Sequence, residues 1–256
     1  MLRAIGLSDV GRFRKGNEDA FACVDELQLF VVADGMGGHS AGEVASRLAL
    51  EAMVGFVRRS SNGDEFSWPY GIDPDLSFDA NRLRTAIQLA NRRVFRAAEG
   101  HDDYTGMGTT IVSALISGRT LVVGHVGDSR LYLHADAALR QLTQDDSWAA
   151  TILTHELGDD KAALARHPMR NVLINVLGVR EQTDVHLSEV PLGGGERLLL
   201  CTDGLHGTLE DPEIAEILAT TEDLGAAARQ LVDAALDRGS RDNVTVLLVQ
   251  CDGELR

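Results

Sequence analysis

Apolar residues recur every three or four positions in four parts of the chain, which is the spacing of an amphipathic helix. In the first of these stretches Val44, Leu48 and Ala52 share one face. Ser40 followed by Glu43 has the pattern of a capping box at the start of this stretch. The spacing predicts helices over about residues 41–59, 81–99, 211–219 and 224–238.

Short apolar runs bounded by glycine or charged residues predict buried β-strands. Three such runs follow one another at 110–116, 120–126 and 130–134, and the tripeptides between them favour antiparallel hairpins over crossovers. Further strands are predicted at 31–33, 198–202 and 244–249. Blocks of strands that follow blocks of helices indicate an α+β layered fold rather than a doubly wound parallel sheet.

Residues 60–79 are the one stretch with the composition of a loop, because they contain Asn62-Gly63, Trp68-Pro69 and Asp73-Pro74. Strong helical patterns flank this stretch, so we interpret it as a surface excursion between two helices. The chain has no low-complexity linker and no internal repeat, and residues 1–256 are expected to form a single domain.

The composition is that of a globular protein, with 44% hydrophobic and 25% charged residues. The net charge of −15 argues against nucleic acid or an anionic membrane as the main partner. Cys23, Cys201 and Cys251 are odd in number and widely spaced, which predicts reduced, buried thiols rather than disulfides or a zinc site. The N-terminus does not resemble a signal peptide, and the sequence has no long apolar run, so we expect a cytoplasmic protein.

Three aspartates stand at the edges of predicted strands. Asp34 and Asp203 each end an apolar run and precede a glycine, and Asp242 comes just before the run at 244–249. A single Asp-Gly pair is more often an ordinary turn. Carboxylates gathered from three separate strands would repel one another unless they were protonated or bound to metal, and hard cations such as Mg²⁺ and Mn²⁺ prefer oxygen ligands.

Two further polar segments could contribute to such a site. In the segment at 14–19, Arg14 has the planar fork that suits a phosphoryl group, and Glu18 with Asp19 could extend a metal cluster through water. Taken alone, this segment is more often a solvated charged turn. Asp128 and Arg130 lie in the link between two predicted strands, where they could simply stabilise a tight turn. The glycine-rich stretches lack the Gly-Lys-Ser/Thr of a nucleotide-binding P-loop.

The set of motifs resembles the PPM family of metal-dependent serine/threonine protein phosphatases (type 2C), in its compact bacterial form. The matching segments occur in the family's order and run nearly from end to end: RKGNED at 14–19, VVADGMGGHSAGEVAS at 31–46, GMGTT at 106–110, VGDSRLY at 126–132, LTQDDS at 142–147, HPMRNVL at 167–173, LLLCTDGL at 198–205 and SRDNVTVLLV at 240–249.

This resemblance implies a four-layer αββα sandwich with two central antiparallel sheets, and two Mn²⁺ or Mg²⁺ ions at one end of it. It implies that Asp34 bridges the two metals and that the Gly35 carbonyl binds one of them. The remaining implied ligands are Asp203 and Asp242, Glu18 mostly through water, and Asp128 with Asp203 at a weaker third ion.

The activity that the resemblance implies is hydrolysis of phosphoserine and phosphothreonine in proteins, in opposition to a serine/threonine kinase. A hydroxide that bridges the metals would attack phosphorus, Arg14 would bind the phosphate, and His39 is a candidate general acid. Residues 146–179, with His167 and Arg170, match the family's variable flap. A monomer without nucleic-acid or membrane partners is expected. The alternative is a phosphoprotein-binding regulator or scaffold that uses the fold without turnover.

Overall fold

The computed structural model describes residues 2–38, 40–61, 67–136, 138–153, 169 and 172–253. In this part of the chain eleven strands form two antiparallel sheets. The strands are β1 Leu2–Asp9, β2 Asp19–Val24, β3 Leu29–Met36, β4 Gly108–Thr109, β5 Ile111–Ser117, β6 Thr120–Val126, β7 Arg130–Ala135, β8 Ala138–Gln141, β9 His186–Pro191, β10 Arg197–Cys201 and β11 Val244–Cys251.

One sheet has the strand order β1-β11-β10-β7-β8, and the other has the order β2-β3-β5-β6-β9 with the short β4 paired to β3. In the first sheet the central strand β11 places Val246 between Leu7 of β1 and Cys201 of β10. Every residue of β11 is buried. This burial on both faces explains why its sequence is an uninterrupted apolar run rather than an alternating one.

The helices are α1 Ala41–Ser61, α2 Phe78–Gly100, the single turn α3 Asp203–His206, α4 Asp211–Thr220 and α5 Leu224–Asp237. The helix predicted at 81–99 begins three residues early, at Phe78, because Ser77 caps it by accepting a hydrogen bond from the Ala80 N–H at 3.0 Å. The other long helices begin at their predicted residues and end within two residues of the predicted ends.

Apolar side chains form three layers of core. Phe30 and Val32 of β3 meet Leu198 and Leu200 of β10 between the two sheets. The alternate residues of the same strands point outwards, so that one outer face packs against α1 and α2 and the other against α4 and α5. The order of layers is helix, sheet, sheet, helix, which confirms the predicted α+β αββα sandwich.

The expectation of two successive hairpins is wrong for the second one. β5 and β6 do pair with each other, but β6 then pairs with β9, whereas β7 pairs with β10 and β8 in the opposite sheet. The link at 127–129 therefore carries the chain from one sheet to the other. Gly127, with a φ of 100°, provides the backbone conformation that this sharp change of direction requires.

The prediction of three buried cysteines is wrong for Cys23. Cys201 and Cys251 are buried free thiols, but Cys23 is exposed. It lies on β2, at the edge of its sheet, where alternate side chains face away from the core. Its thiol lies 3.4 Å from a carboxylate oxygen of Asp25.

The described part of the loop predicted at 60–79 is anchored to the helices on either side of it. The Trp68 ring makes edge-to-face contacts with Phe56 of α1, at a centroid distance of 6.1 Å, and with Phe78 of α2, at 5.4 Å. Asn81 accepts a hydrogen bond from the Asp73 N–H at 2.8 Å. No helix within the described residues is both long and apolar enough to cross a membrane.

Candidate metal centre

The predicted acidic residues meet at one end of the sandwich because the strands that carry them end or begin there. Asp34 lies near the end of β3, Asp203 follows β10, and Asp242 precedes β11. Asp128 lies in the link that passes from one sheet to the other. The antiparallel pairing of β10 with β11 brings the end of one strand beside the start of the next, which places Asp203 and Asp242 at the same edge.

The backbone of Asp34 is fixed by two threonines from the neighbouring segment. The Asp34 N–H donates to Thr110 Oγ1 at 3.0 Å, and the Asp34 carbonyl accepts from the Thr110 N–H and from Thr109 Oγ1, each at 2.9 Å. Thr110 Oγ1 lies 2.7 Å from the Ser129 hydroxyl, beside Asp128. These hydrogen bonds hold the Asp34 side chain in place relative to the link that carries Asp128.

Asp19 is a member of the site that the sequence suggested only in passing. It is the direct cross-strand partner of Asp34 in the β2–β3 ladder. Its Oδ2 accepts hydrogen bonds from Thr202 Oγ1 at 2.9 Å and from Thr245 Oγ1 at 2.6 Å, which ties one sheet to the other. Its buried Oδ1 has no hydrogen-bond partner among the described residues.

Burial and mutual repulsion raise the pKa values of these carboxyl groups. The pKa of Asp34 lies well above its ordinary value because of burial and then of the charges on Asp19 and Asp203. Burial, with a smaller repulsion from Asp203, raises the pKa of Asp128 to about 7. Burial and repulsion from Asp242 raise the pKa of Asp203, while a hydrogen bond with Asp34 opposes the rise. The negative charge of this cluster is therefore not fully compensated by nearby positive groups.

These residues fit a hard divalent cation. Asp203 Oδ1 and Asp19 Oδ1 are buried oxygens without a hydrogen-bond partner in the described part of the chain. Within that part, no three His, Cys, Asp or Glu side chains converge into a ready-made cage for one ion. Such a cage is not required, because Mg²⁺ and similar ions keep several waters and bind proteins through one or two carboxylates.

Close packing at two glycines brings the acidic segments together. A β-carbon on Gly35 would lie 2.0 Å from the Gly42 carbonyl oxygen of α1, and one on Gly204 would lie 1.9 Å from the Asn243 carbonyl oxygen. Neither position can hold a side chain without displacing backbone. The Gly35 N–H donates to the Glu18 carbonyl at 3.1 Å, which holds Glu18 beside the end of β3.

The Glu18 side chain lies against Gly42, near the start of α1. Burial is the main cause that raises the pKa of its carboxyl group, and a hydrogen bond from the Gly42 N–H acts in the opposite direction. Asn243, which the sequence analysis did not single out, accepts from the Glu18 N–H at 2.9 Å and donates to the carbonyls of Val10 and Gly16. Asn243 thus fastens the segment at 10–18 to the start of β11, next to Asp242.

Arg14 contacts an acidic member of the site directly. Its guanidinium donates to Asp242 Oδ2 at 2.6 Å, and this hydrogen bond is the largest cause that raises the Arg14 pKa. About half of the Arg14 side chain, 47%, remains exposed. The guanidinium is therefore at the mouth of the site, where a dianionic ligand could reach it.

Arg130 makes no ion pair with its neighbour Asp128. Instead it makes a two-pronged ion pair with Asp145, with Nη2 to Oδ2 at 2.7 Å and Nε to Oδ1 at 2.9 Å. It also donates to the Tyr132 hydroxyl at 2.8 Å. The Asp128 carboxylate stays out of this ion pair, and the Asp128 carbonyl oxygen lies 3.0 Å from His206 Nε2.

Three residues named from the sequence lie outside the described residues. These are His39, the candidate acid, and His167 and Arg170 of the flap. Of the remaining flap, residues 146–153, 169 and 172–179 are described, and a bridge between Ser147 and Leu173 closes its two ends on each other.

Comparisons with known proteins identify a family that matches most of the chain. The profile of the protein phosphatase 2C family matches residues 14–240. A serine/threonine phosphatase named stp from Listeria monocytogenes is 36% identical over 253 residues, which cover 96% of this chain and 94% of that protein.

Solved structures are similar over almost the whole chain. The serine/threonine phosphatase PstP/Ppp of Mycobacterium tuberculosis superposes with a TM-score of 0.84 at 34% identity, covering 98% of this chain and 99% of that one. A structure of the PstP catalytic domain in complex with two manganese ions has a TM-score of 0.81 at 32% identity, with coverage of 98% and 99%. The chain belongs to the protein phosphatase 2C family.

Proposed function

We propose that the acidic end of the sandwich holds two Mn²⁺ or Mg²⁺ ions and hydrolyses phosphoserine and phosphothreonine in proteins. The observation that carries this proposal is the group formed by Asp34, Asp19, Asp203 and Asp128. Burial, and then their mutual repulsion, raises the pKa values of these carboxyl groups, and two of their oxygens have no hydrogen-bond partner among the described residues. Family membership and the relatives named as serine/threonine phosphatases support the reaction type.

The proposed ligands follow from the placement of the carboxylates. Asp34 would be shared by two ions, with the Gly35 carbonyl as a further ligand. Asp203 and Asp242 would complete the set, Glu18 would act mostly through water, and Asp128 with Asp203 would hold a weaker third ion. When bound, two divalent cations neutralise the phosphoryl oxygens and lower the pKa of a coordinated water towards 7. The PstP catalytic domain, which has two manganese ions, is the relevant precedent.

Arg14 would bind the phosphate. A phosphoserine ester carries a charge of about −1.5 to −2 at neutral pH, and a guanidinium can pair with two of its oxygens at once. In the structure this guanidinium donates to Asp242. A metal ion that neutralised Asp242 would weaken that ion pair and leave Arg14 available to the substrate.

The leaving serine or threonine oxygen needs a proton. His39 remains the proposed donor, because an ordinary histidine pKa of about 6.5 suits proton exchange near neutral pH. In the sequence it directly follows Gly37 and Gly38 and lies four positions after Gly35.

We propose that the protein is a monomeric cytoplasmic enzyme. Its wider role would be to remove the phosphate groups that a serine/threonine kinase adds to proteins. We also propose that residues 1–256 are one catalytic domain. This is supported by the apolar layer between the sheets, to which strands from both ends of the chain contribute.

The test is hydrolysis of para-nitrophenyl phosphate with added Mn²⁺, with metal binding measured separately by calorimetry. We expect turnover that depends on Mn²⁺ and is abolished by a chelator. Absence of turnover while Mn²⁺ is bound would favour the alternative of a phosphoprotein-binding regulator and would overturn the proposal.

A further inference from the structure

The outer helical layer formed by α1 and α2 is positively charged, although the whole chain has a net charge of −15. These two helices carry eight arginines against four carboxylates, and no lysine. Most of the arginines are exposed, and several pair with neighbouring carboxylates, such as Arg58 with Glu26 and Arg82 with Asp79. Of the four arginines on these helices without an ion pair among the described residues, Arg47 stands apart, and the other three lie close together.

Those three line a groove between the two helices, with a volume of about 450 Å³. Its apolar part consists of Ala52, Gly55 and Leu89, and four arginines line it. The volume lies within the range of sites that bind ligands. We call this the arginine groove, and its arginines are Arg59, Arg92, Arg93 and Arg96.

Only one of these arginines has a carboxylate partner within the described part of the chain. Arg93 pairs with Glu51, which also lines the groove, at 2.7 Å. Among the described residues Arg59, Arg92 and Arg96 make no ion pair. Arg92 and Arg96 are four positions apart on α2, a like-charge spacing that destabilises a helix. The groove therefore has uncompensated positive charge.

The guanidinium of Arg59 lies over the floor of the groove. A β-carbon added to Gly55 would meet Arg59 Nη1 at 3.5 Å, in ordinary van der Waals contact. The guanidinium thus reaches back along α1 towards the groove, although Arg59 as a whole remains exposed.

Two further cavities follow the arginine groove in the direction of Met36, each sharing lining residues with the cavity before it. Arg92 and Arg96 also line a cavity of about 460 Å³, which Tyr70 and Gln182 line as well. Tyr70 and Gln182 in turn line a cavity of about 600 Å³ that extends to Met36, the residue after Gly35. A bound polypeptide could therefore run from the metal centre along α2 to the arginines.

We propose that the arginine groove binds a carboxylate-rich segment of the phosphoprotein substrate while the phosphorylated residue lies at the metal centre. The inference rests on the proposed phosphatase function. Guanidinium forks match carboxylates in two-pronged pairs. Glu99 and Glu181 line the middle cavity, so the part of the substrate that crosses it should be neutral or basic.

The experiment compares two phosphothreonine peptides that are identical around the phosphorylated residue. One carries a run of Asp and Glu beyond a neutral spacer, and the other carries Asn and Gln in the same positions. We expect the Mn²⁺-loaded protein to prefer the acidic peptide by about tenfold in kcat/KM, because several exposed ion pairs that are individually weak act together. The preference should disappear when the spacer is too short to reach the groove.

Three variants locate the preference. Arg92→Glu with Arg96→Glu should remove it while leaving kcat/KM for the amide peptide unchanged. Glu51→Gln frees Arg93 and should increase the preference, which is the opposite sign. Arg229→Glu is the matched control, because Arg229 is an equally exposed arginine on α5, in the opposite helical layer. It should leave the preference as it is, and circular dichroism should show that all variants remain folded.

The outcomes separate this inference from the phosphatase function itself. If neither peptide is hydrolysed, the proposed function fails. If both are hydrolysed equally well, or if the preference survives Arg92→Glu with Arg96→Glu, the function stands and the docking groove is wrong. Equal binding of a single-stranded oligonucleotide, abolished by the same two substitutions, would also overturn the assignment to acidic polypeptide.

Discussion

Asp146 is the residue whose removal should most clearly show how the active-site end is held together. Its carboxylate accepts hydrogen bonds from the Gly127 N–H at 3.0 Å and from Asn175 Nδ2 at 2.8 Å, and lies 2.8 Å from His186 Nε2. Its own backbone bonds to Gly127 and Ile174. Asp146 thus joins both ends of the flap to the link that carries Asp128.

Asp146→Ala would leave a buried N–H and two side chains without their acceptor. Leaving a buried donor without its acceptor costs about 1–3 kcal/mol. We therefore expect the free energy of unfolding to fall by about that amount. We also expect a higher Mn²⁺ requirement for activity, since Gly127 is the neighbour of Asp128.

The assay is urea denaturation of the metal-free protein, followed by activity measured against Mn²⁺ concentration. Asp184→Ala is the matched control. Asp184 is an exposed aspartate just beyond the flap, and such a surface substitution changes stability by no more than about 0.5 kcal/mol. If Asp146→Ala costs less than about 1 kcal/mol, or if it leaves the Mn²⁺ requirement unchanged, the proposed anchoring role is refuted.

Three further substitutions probe the metal centre. Asp203→Asn should lower kcat/KM by at least about a hundredfold in enzyme assays. It should also stabilise the metal-free protein in thermal melts in chelator, because it removes a repelling charge. Arg14→Ala should mainly raise KM for a phosphopeptide, with kcat nearly retained, in steady-state kinetics. Gly204→Ala should lower the unfolding free energy by more than about 3 kcal/mol in denaturant titration, since its β-carbon would meet the Asn243 carbonyl.

The fold was predictable from the sequence where local patterns decide the structure. Helical spacing located α1, α4 and α5, and apolar runs located the central strands. The second hairpin was not predictable, because the length of the link at 127–129 does not show whether the next strand joins the same sheet. Whether β7 joins the same sheet as β6 depends on the core layers into which Leu131 and Tyr132 pack. The packing of the whole sandwich determines those layers.

The same distinction applies to the metal centre. Asp34 and Asp203 were recognisable because each ends an apolar run just before a glycine. The place of Asp19 depends on the register of β2 against β3 and on a hydrogen bond from Thr245, 226 positions away. Asn243 and Asp146 likewise act through contacts between distant segments. A sequence pattern reports the neighbours along the chain, but not the neighbours in space.

The most direct test is the dephosphorylation of phosphoserine, phosphothreonine and phosphotyrosine peptides across a titration of Mn²⁺, with Asp203→Asn measured alongside. We expect phosphate release from the serine and threonine peptides that increases with Mn²⁺, is absent in chelator and is lost in the variant. Full activity in chelator, or wild-type activity of Asp203→Asn at limiting Mn²⁺, would contradict the assignment of this acidic cluster as the catalytic metal centre.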